Sequence, residues 1–256
     1  MTSKISVCIA VGPQENFGAL RFTLDSVINQ SIESVEVVIK IYKNNLINEI
    51  KEFIKNNNGN YILISGDDHG IYDAFNICIK ESSGDYLLFL GCGDTLNSNY
   101  VCSKIIHFIK EKNYPELIYG AVKLVKVNSD ILLFSNKCFE GRKRLTPWRN
   151  PCHSQGIIYK KSWILDKLFA IDQGPLADLI HTYKFSVHKK AIWINTVIST
   201  FVEGGVSNDN SYRAFIKCRK GVIANCNNFK YSIAWKIVSY FAYTLHYIYK
   251  RLLKFL

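Results

Sequence analysis

The sequence contains eight cysteines but no C-x-x-C pair, and this absence excludes the common zinc-binding and redox motifs. The cysteines are scattered along the chain, at Cys8, Cys78, Cys92, Cys102, Cys138, Cys152, Cys218 and Cys226. We therefore expect buried, reduced thiols rather than disulfides or zinc ligands. The first residues also lack the long apolar region and small-residue cleavage site of a signal peptide, which predicts a cytoplasmic protein.

Internal repeats and low-complexity tracts are absent as well, and a hydrophobic content of 48% excludes general disorder. A chain of 256 residues is long enough for one sizeable domain plus an appendage. We predict a catalytic-type α/β domain over residues 1–207 and a basic helical segment over residues 208–256.

Acidic residues are missing from residues 211–256, where nine Lys and Arg residues lie. These residues account for nine of the net +11 charges, so the first 210 residues carry only +2. Any polyanion is therefore expected to bind the last fifth of the molecule.

The C-terminal segment also has an apolar stripe at helical spacing. The stripe consists of Ile233, Ile237, Phe241, Thr244, Leu245, Ile248, Leu252 and Phe255. Its longest uncharged run, residues 237–249, is shorter than the roughly 20 residues that span a bilayer. The pattern predicts an amphipathic helix that lies in an anionic membrane interface. The alternative is a helix packed on the catalytic domain, with its basic residues in solvent.

Strand-like and helix-like runs alternate through the first half of the chain. Strands are predicted over residues 4–11, 35–42, 61–64 and 86–90, and helices over residues 20–30, 47–55 and 71–82. Residues 100–112 predict a further helix, and strands are predicted over residues 116–120, 123–134, 155–159 and 192–200. Residues 136–151 predict a basic substrate-side loop, and residues 176–187 a helix. This alternation indicates a doubly wound, mainly parallel sheet.

One carboxylate, Asp94, follows the apolar strand predicted over residues 86–90 and lies beside Gly93. Open α/β sheets bind their ligands just beyond the carboxyl ends of their strands, and glycine lets a ligand approach the backbone. Oxygen ligands and phosphates are what Mg²⁺ or Mn²⁺ prefers. The position therefore suits a divalent cation that holds a diphosphate. The alternative is that Asp94 caps the following helix.

Three ordered blocks lie between residues 68 and 94: Asp68-x-Gly70-Ile71-Tyr72-Asp73-Ala74-x-Asn76, Gly84-Asp85-Tyr86 and Phe89-Leu90-x-x-Gly93-Asp94. Together they resemble the central signature of family 2 glycosyltransferases with the GT-A fold, in the branch that builds bacterial O-antigen and capsule. The resemblance implies an inverting, metal-dependent hexosyl- or N-acetylhexosaminyltransferase. Its donor would be a nucleotide-diphosphate sugar, with UDP as the nucleotide, and its acceptor a polyprenyl-diphosphate-linked glycan. The enzyme would work on the inner face of the cell membrane.

The resemblance also implies roles for single residues. Asp94 would bind Mn²⁺ or Mg²⁺, and Asp68, His69, Asp73 and Gly93 would line the donor site. Asp73 has an equal structural alternative as a helix anchor, His69 one as an exposed loop residue, and the nearby Asn76 is expected to be structural.

On the acceptor side the resemblance implies three further residues. Asp178 would be the general base, with Asp172 as its competitor and helix capping as the alternative for both. His153 and Gln155 would lie on the acceptor side.

The sequence departs from the family pattern at three places. Family members carry an acid after the second strand that reads the nucleobase, whereas residues 38–45 contain none. Cys92 stands where a first metal-site aspartate is common, and Ser154 separates His153 from Gln155. Base recognition is therefore expected to differ in detail.

Two other functions remain open from the sequence. The basic tail is compatible with a non-enzymatic binder of nucleic acid or an anionic surface, although no nucleic-acid motif is present and the body is near neutral, so no nucleic-acid partner is expected. The missing second-strand acid is compatible with an inactive transferase homologue.

Overall fold

The computed structural model describes residues 3–43, 46–125, 131–134, 153–178, 181, 191–202, 241, 244–245 and 248. The predicted substrate-side loop over residues 136–151 and most of the predicted segment 208–256 lie outside these described residues.

The first half of the chain alternates strand and helix, as predicted. The elements are β1 (Ile5–Val11), α1 (Phe17–Ile28), β2 (Val35–Ile41), α2 (Ile47–Asn56), β3 (Asn60–Ser65), α3 (Ile71–Glu81) and β4 (Tyr86–Gly91). The second half contains β5 (Thr95–Leu96), α4 (Val101–Glu111), β6 (Leu117–Val125), β7 (Ile131–Phe134), β8 (Ile157–Lys160), α5 (Lys161–Ile164) and β9 (Ala191–Val202). Short 3-10 turns cover Ser154–Gly156 and Ile171–Leu176.

The strands form one sheet in the order β3-β2-β1-β4-β8-β6-β9-β5, with β7 paired to β6. The first four neighbours are parallel, whereas β8 runs antiparallel to both β4 and β6. The chain thus proceeds outward from β1 to β3 and then returns to the other side of β1 with β4. Doubly wound sheets bind ligands beyond the carboxyl ends of their strands at such a reversal, which lies here between β1 and β4.

Helices cover both faces of the sheet, and β1 is therefore buried along its whole length. Ile5, Val7 and Ile9 pack into the core that α1, α2 and α4 cover. Cys8 and Ala10 point to the opposite face and pack against α3. The alternation follows from the two-residue period of a strand and explains the continuous apolar run in the sequence.

The amino ends of the strands meet around the buried carboxylate of Glu36. Its Oε2 accepts hydrogen bonds from Ser6 Oγ at 2.6 Å and the Ser83 backbone N–H at 2.7 Å, and its Oε1 accepts one from Lys4 Nζ at 2.9 Å. Burial opposes ionisation, but these donors lower the pKa of Glu36 to about 2. A β-carbon at Gly84 would lie 2.4 Å from Ser6 Oγ, so only glycine fits beside this cluster. Glu36 therefore ties β1, β2 and the start of β4 together.

The structure corrects three details of the predicted elements. Residues 154–156 form a 3-10 turn, so the strand predicted from Gln155 begins only at Ile157. Lys123 belongs to the long strand β6 rather than to a new strand, and β6 pairs antiparallel with β7. The two-residue strand β5, which the sequence does not predict, pairs with β9 at the end of the strand order.

The four described cysteines are free, and three of them, Cys8, Cys78 and Cys102, are buried, as expected. Within the described part of the chain, no helix has the length and apolar character needed to cross a bilayer.

Candidate active site at the carboxyl edge of the sheet

Asp94 lies just beyond the carboxyl end of β4. The chain turns tightly after β4, with the Asp94 backbone N–H donating to the Gly91 carbonyl at 3.2 Å. The turn folds the Asp94 side chain back, so that its Oδ2 accepts the Gly91 N–H at 2.8 Å. The same oxygen accepts Gln155 Nε2 at 3.1 Å, and the residue is only 4% exposed.

Two glycines make this turn possible. A β-carbon at Gly91 would lie 3.0 Å from Asp94 Oδ2, so a side chain there would displace the carboxylate. Gly93 has a φ of +91°, which disfavours residues with a side chain, and its N–H donates to Thr23 Oγ1 at 2.9 Å. The predicted donor-site residue Gly93 therefore sets the shape of the turn that presents Asp94.

Burial raises the pKa of Asp94 to about 7, and the nearby charge of Glu15 contributes in the same direction. The hydrogen-bond donors that reach Asp94 are the neutral groups of Gly91, Gln155 and Val202. A cation would favour the ionised carboxylate at this position, and Mg²⁺ is commonly held by one or two carboxylates plus substrate phosphates. Asp94 could therefore supply one carboxylate ligand to a divalent cation, and no group of three potential metal-binding side chains exists among the described residues.

The His153–Gln155 segment joins the site through Gln155. Its side-chain Nε2 donates to Asp94, and its Oε1 accepts a hydrogen bond from Ser154 Oγ at 2.9 Å. Ser199 Oγ holds the Gln155 carbonyl at 2.8 Å. His153 lies behind it, with its ring 4.6 Å from that of Phe201, and burial lowers the pKa of His153 to about 4. Gln155 is thus the residue of the pair that contacts Asp94, and His153 supports it as a neutral imidazole.

A second polar cluster lies at the carboxyl ends of β2 and β3, and its central residue is Lys40. Lys40 Nζ donates to Asp68 Oδ2 at 2.8 Å, to the Gly66 carbonyl at 2.7 Å and to the Ile41 carbonyl at 3.3 Å. The other Asp68 oxygen, Oδ1, accepts the Gly70 N–H at 3.0 Å. Lys40 thereby fixes the loop between β3 and α3. The sequence gives only the hint that Lys40 stands in the stretch where relatives place an acid.

Asp73 and His69 bind each other within that loop. Asp73 Oδ2 accepts the His69 backbone N–H at 2.9 Å and lies 3.0 Å from His69 Nδ1. The His69 side chain is 84% exposed. Asp73 therefore anchors the first turn of α3, and the geometry favours its structural alternative, while His69 presents its ring to solvent at the same edge of the sheet.

Asp178 lies on the other side of α3, where it contacts Tyr72. Burial, followed by the charge of Asp178, holds the pKa of Tyr72 well above its ordinary value. The competitor Asp172 is exposed and binds its neighbour Gln173 at 2.6 Å.

Asn76 pairs with the backbone of Phe169 through both of its amide atoms. Its Nδ2 donates to the Phe169 carbonyl and its Oδ1 accepts the Phe169 N–H, each at 2.9 Å. The buried ring of His181, which the sequence does not single out, lies 4.6 Å from the ring of Phe169 at a tilt of 43°, and its Nε2 hydrogen-bonds the Lys167 carbonyl at 2.6 Å. Asn76 thus has the structural role expected of it, because it holds the segment that leads to Asp178.

The chain is similar to known glycosyltransferases in sequence and in fold. Residues 10–164 match the family described as "Glycosyl transferase family 2". Proteins from Mycobacterium tuberculosis and Mycobacterium bovis named "PGL/p-HBAD biosynthesis glycosyltransferase" are 30% identical over 148 residues, which are 54% of this chain and 52% of those proteins. The chain therefore spans about half the length of these curated relatives.

Two solved structures share the fold. Residues 1–349 of S. aureus TarS, determined with UDP, superpose with a TM-score of 0.66 and 16% identity over 91% of this chain and 68% of that chain. GalNAc-T7, determined with UDP, GalNAc and Mn²⁺, gives a TM-score of 0.63 and 15% identity over 87% of this chain and 48% of that chain. The predicted GT-A fold, a mainly parallel α/β sheet, is confirmed. With the family match covering more than half of its residues, the chain belongs to glycosyl transferase family 2.

Proposed function

We propose that the protein is an inverting glycosyltransferase that moves a sugar from a nucleotide-diphosphate sugar to a hydroxyl group of a saccharide acceptor. The observation that carries this proposal is the buried carboxylate of Asp94 just beyond β4, which Gln155 and the Gly91–Asp94 turn hold in place. Family membership makes glycosyl transfer the reaction class with the strongest support.

On the donor side, we assign Asp94 to the diphosphate and Asp68, His69, Asp73 and Gly93 to the walls of the nucleotide site. The TarS and GalNAc-T7 structures were determined with UDP, which supports UDP as the donor nucleotide here. Asp94 would hold Mn²⁺ or Mg²⁺, and such an ion, when bound, neutralises the charge that develops on the leaving diphosphate. Asp73 contributes by fixing the backbone around the exposed ring of His69.

On the acceptor side, we assign Asp178 as the general base. The acceptor oxygen attacks the anomeric carbon, the bond from that carbon to the diphosphate oxygen breaks, and Asp178 takes the hydroxyl proton. A carboxylate that is partly desolvated and held by the protein suits this role. Asp178 fits better than Asp172, because Asp178 contacts Tyr72 in the folded core and Asp172 is exposed. Gln155, with His153 behind it, would contact the acceptor side of the reacting centre.

We further propose that the acceptor is a lipid-linked saccharide, as in O-antigen or capsule assembly, and that the protein binds the inner face of the membrane through its C-terminal segment. Phe241, Leu245 and Ile248 lie on one face of a helix and are 70%, 55% and 47% exposed. An exposed apolar stripe within a strongly basic segment is typical of helices that lie in an anionic membrane interface. The mycobacterial relatives are named for PGL/p-HBAD biosynthesis, and these names do not refer to O-antigen or capsule. The support for a lipid-linked acceptor is therefore the exposed apolar stripe of the C-terminal segment.

Thermal unfolding in the presence of UDP, GDP and CDP sugars, with and without Mn²⁺, tests the donor assignment. A ligand that binds the folded state at about 100 times its Kd raises the Tm of a domain of this size by about 5–10 °C. We expect this shift with a UDP sugar plus Mn²⁺ and its loss in Asp94→Ala. The variant Asp25→Asn, on the exposed face of α1, is the matched control. If no nucleotide sugar shifts the Tm of the wild-type protein, the proposed function is wrong.

A further inference from the structure

Lys40 lies buried at the carboxyl end of β2, and its ammonium group ties this strand to the loop of residues 66–70, which joins β3 to α3. Nζ donates to the Gly66 carbonyl at 2.7 Å and to Asp68 Oδ2 at 2.8 Å. Beside it, the Gly66 backbone N–H donates to the Ile41 carbonyl at 3.2 Å. Burial of a charge is costly unless the charge is paired, so Lys40 and this conformation of the loop stabilise each other.

Asp68 extends this constraint to the start of α3. Its Oδ1 accepts the backbone N–H of Gly70 at 3.0 Å, and Gly70 is the N-cap residue of the helix. Asp73, in the first turn of α3, accepts the backbone N–H of His69 at 2.9 Å. The loop of residues 66–70 is therefore held at both of its ends, and Lys40 supplies the buried cation.

One side of the same loop is open. No described residue comes within 4 Å of the position that a β-carbon would take at Gly66 or at Gly70, and the His69 side chain between them is exposed. The strand β2 brings no carboxylate to this edge of the sheet, because residues 38–45 contain none, whereas the loop brings Asp68. Doubly wound sheets bind their ligands at this edge.

We propose that Lys40 is a positioning residue for the donor nucleotide, which holds the loop of residues 66–70 in the conformation that binds the nucleotide. This inference rests on the proposed function and names the residue that prepares the nucleotide side of the same site. Lys40 itself does not touch the nucleotide, because its three hydrogen bonds to protein oxygens use the whole ammonium group.

A positioning role of this kind predicts a change in nucleotide affinity. When a ligand binds only one conformation of a loop, its apparent Kd rises as the fraction of molecules in that conformation falls. Without Lys40, the Asp68 carboxylate loses its cation and the Gly66 carbonyl loses a donor. A loop that keeps the binding conformation in about one molecule in ten raises the Kd about 10-fold.

Calorimetric titration with UDP in the presence of Mn²⁺ tests the inference. We expect the Kd for UDP to rise about 10-fold or more in Lys40→Met. Glu36→Gln is the matched control, because Glu36 is also a buried charged residue on the same face of β2 but lies near the amino end of the strand. Both variants remove a buried charge, yet Glu36→Gln should keep the wild-type Kd. An unchanged Kd in Lys40→Met, or an equal rise in both variants, would overturn the inference.

Hydrogen exchange without nucleotide gives a second readout. The backbone N–H groups of Gly66 and Gly70 bind Ile41 and Asp68, so local opening of the loop exposes both of them. In Lys40→Met we expect peptides that cover residues 66–70 to exchange about 10-fold faster or more, and in Glu36→Gln at the wild-type rate. Wild-type exchange in Lys40→Met would show that the lysine does not hold the loop.

The double variant Lys40→Met/Asp68→Leu keeps the inference testable if Lys40→Met does not fold. Replacement of a buried ion pair by apolar side chains is often neutral for stability, so this protein should unfold near the urea midpoint of wild type. It should still bind UDP about 10-fold more weakly or worse, since the loop has lost its anchor. Wild-type affinity for UDP in the double variant would refute the role of Lys40.

These outcomes separate the inference from the proposed function. A wild-type protein that binds UDP, together with an unaffected Lys40→Met variant, contradicts the role of Lys40 alone. If wild type binds GDP or CDP instead of UDP, the same comparison is made with that nucleotide. A wild-type protein that binds none of the three contradicts the proposed function itself.

Discussion

Lys40 Nζ lies 2.8 Å from Asp68 Oδ2, and their side chains are only 1% and 8% exposed. The pair therefore forms a buried salt bridge at the carboxyl edge of the sheet. All three protons of the Lys40 ammonium group are directed at oxygen acceptors, namely Asp68, Gly66 and Ile41. Lys40 thus compensates the charge of a residue that the family resemblance assigns to donor binding.

Lys40→Met is expected to destabilise the protein strongly. The substitution leaves the Asp68 carboxylate buried without its cation, and breaking a buried pair in this way costs about 3–5 kcal/mol. The free energy of unfolding in urea measures this loss. Lys43→Met is the matched control, because Lys43 pairs with Asp67 at 2.9 Å while both side chains are largely exposed. Lys43→Met should leave the urea midpoint unchanged. An equally small effect of Lys40→Met would contradict a stabilising role for the buried Lys40–Asp68 salt bridge.

Glu36 should make the stability of the protein depend on acid pH. Its pKa lies at about 2 in the folded state against an ordinary value of 4.5, so the ionised form is favoured by folding. The resulting stabilisation of about 3 kcal/mol is fully present above pH 4.5 and is lost as the pH falls toward 2. Glu36→Gln should therefore be less stable than wild type at pH 7, and the difference should shrink between pH 4.5 and 2.

Urea unfolding at several pH values measures the Glu36 effect. Glu52→Gln, an exposed residue of α2, serves as the control and should differ little from wild type at any pH. A constant difference between Glu36→Gln and wild type across this range would mean that Glu36 acts by packing and not by charge.

Asp94→Ala is expected to abolish turnover with donor and Mn²⁺ present, and Asp94→Asn to lower kcat by about 100-fold or more. The asparagine variant keeps the size of the side chain within the Gly91–Asp94 turn but loses the negative charge. A radiolabelled or coupled transferase assay measures both variants, with Asp25→Asn as the control on α1. Near-normal activity in Asp94→Ala would rule out the role assigned to this residue.

Phe241→Ser is expected to weaken binding to vesicles that contain anionic lipid. Burial of one phenylalanine side chain contributes about 1.5–3 kcal/mol, so its loss should lower vesicle partitioning about 10- to 100-fold. Co-sedimentation with vesicles measures the partitioning. Phe22→Ser is the matched control, because Phe22 is 69% exposed on α1, compared with 70% for Phe241. Equal partitioning of Phe241→Ser and wild type would exclude a membrane role for the exposed stripe.

The apolar strands and the helices between them follow directly from the sequence, because a strand buried on both faces gives a continuous apolar run. Strand β5 is only two residues long and has no periodicity of its own, so its pairing with β9 depends on tertiary structure alone. Gln155 has a strand-like sequence around it, yet its carbonyl is held by Ser199 and its amide by Asp94.

The polar contacts of the site were harder to predict. Asp94, Asp68 and Asp178 are found from motifs. The motifs do not identify Lys40 as the partner of Asp68, or Tyr72 as the neighbour of Asp178. Lys40 stands in the stretch where this chain lacks the acid of the family pattern, and nothing in its local sequence shows that a lysine in a buried strand would reach Asp68. The partner of Asp178 lies in a different helix, so only the folded chain brings Tyr72 to it.

The pairing of Asn76 with Phe169 has a consequence for how this fold can be recombined. The Asn76 side-chain amide offers one donor and one acceptor, as the backbone of a neighbouring strand would. It therefore binds the backbone of this segment whatever side chain the segment carries at that position. Chimeras that replace residues 165–178 with the corresponding stretch of a relative should therefore dock correctly when Asn76 is retained. The same chimeras in an Asn76→Leu background should form the sheet normally, but residues 165–178 should be displaced from their position against α3.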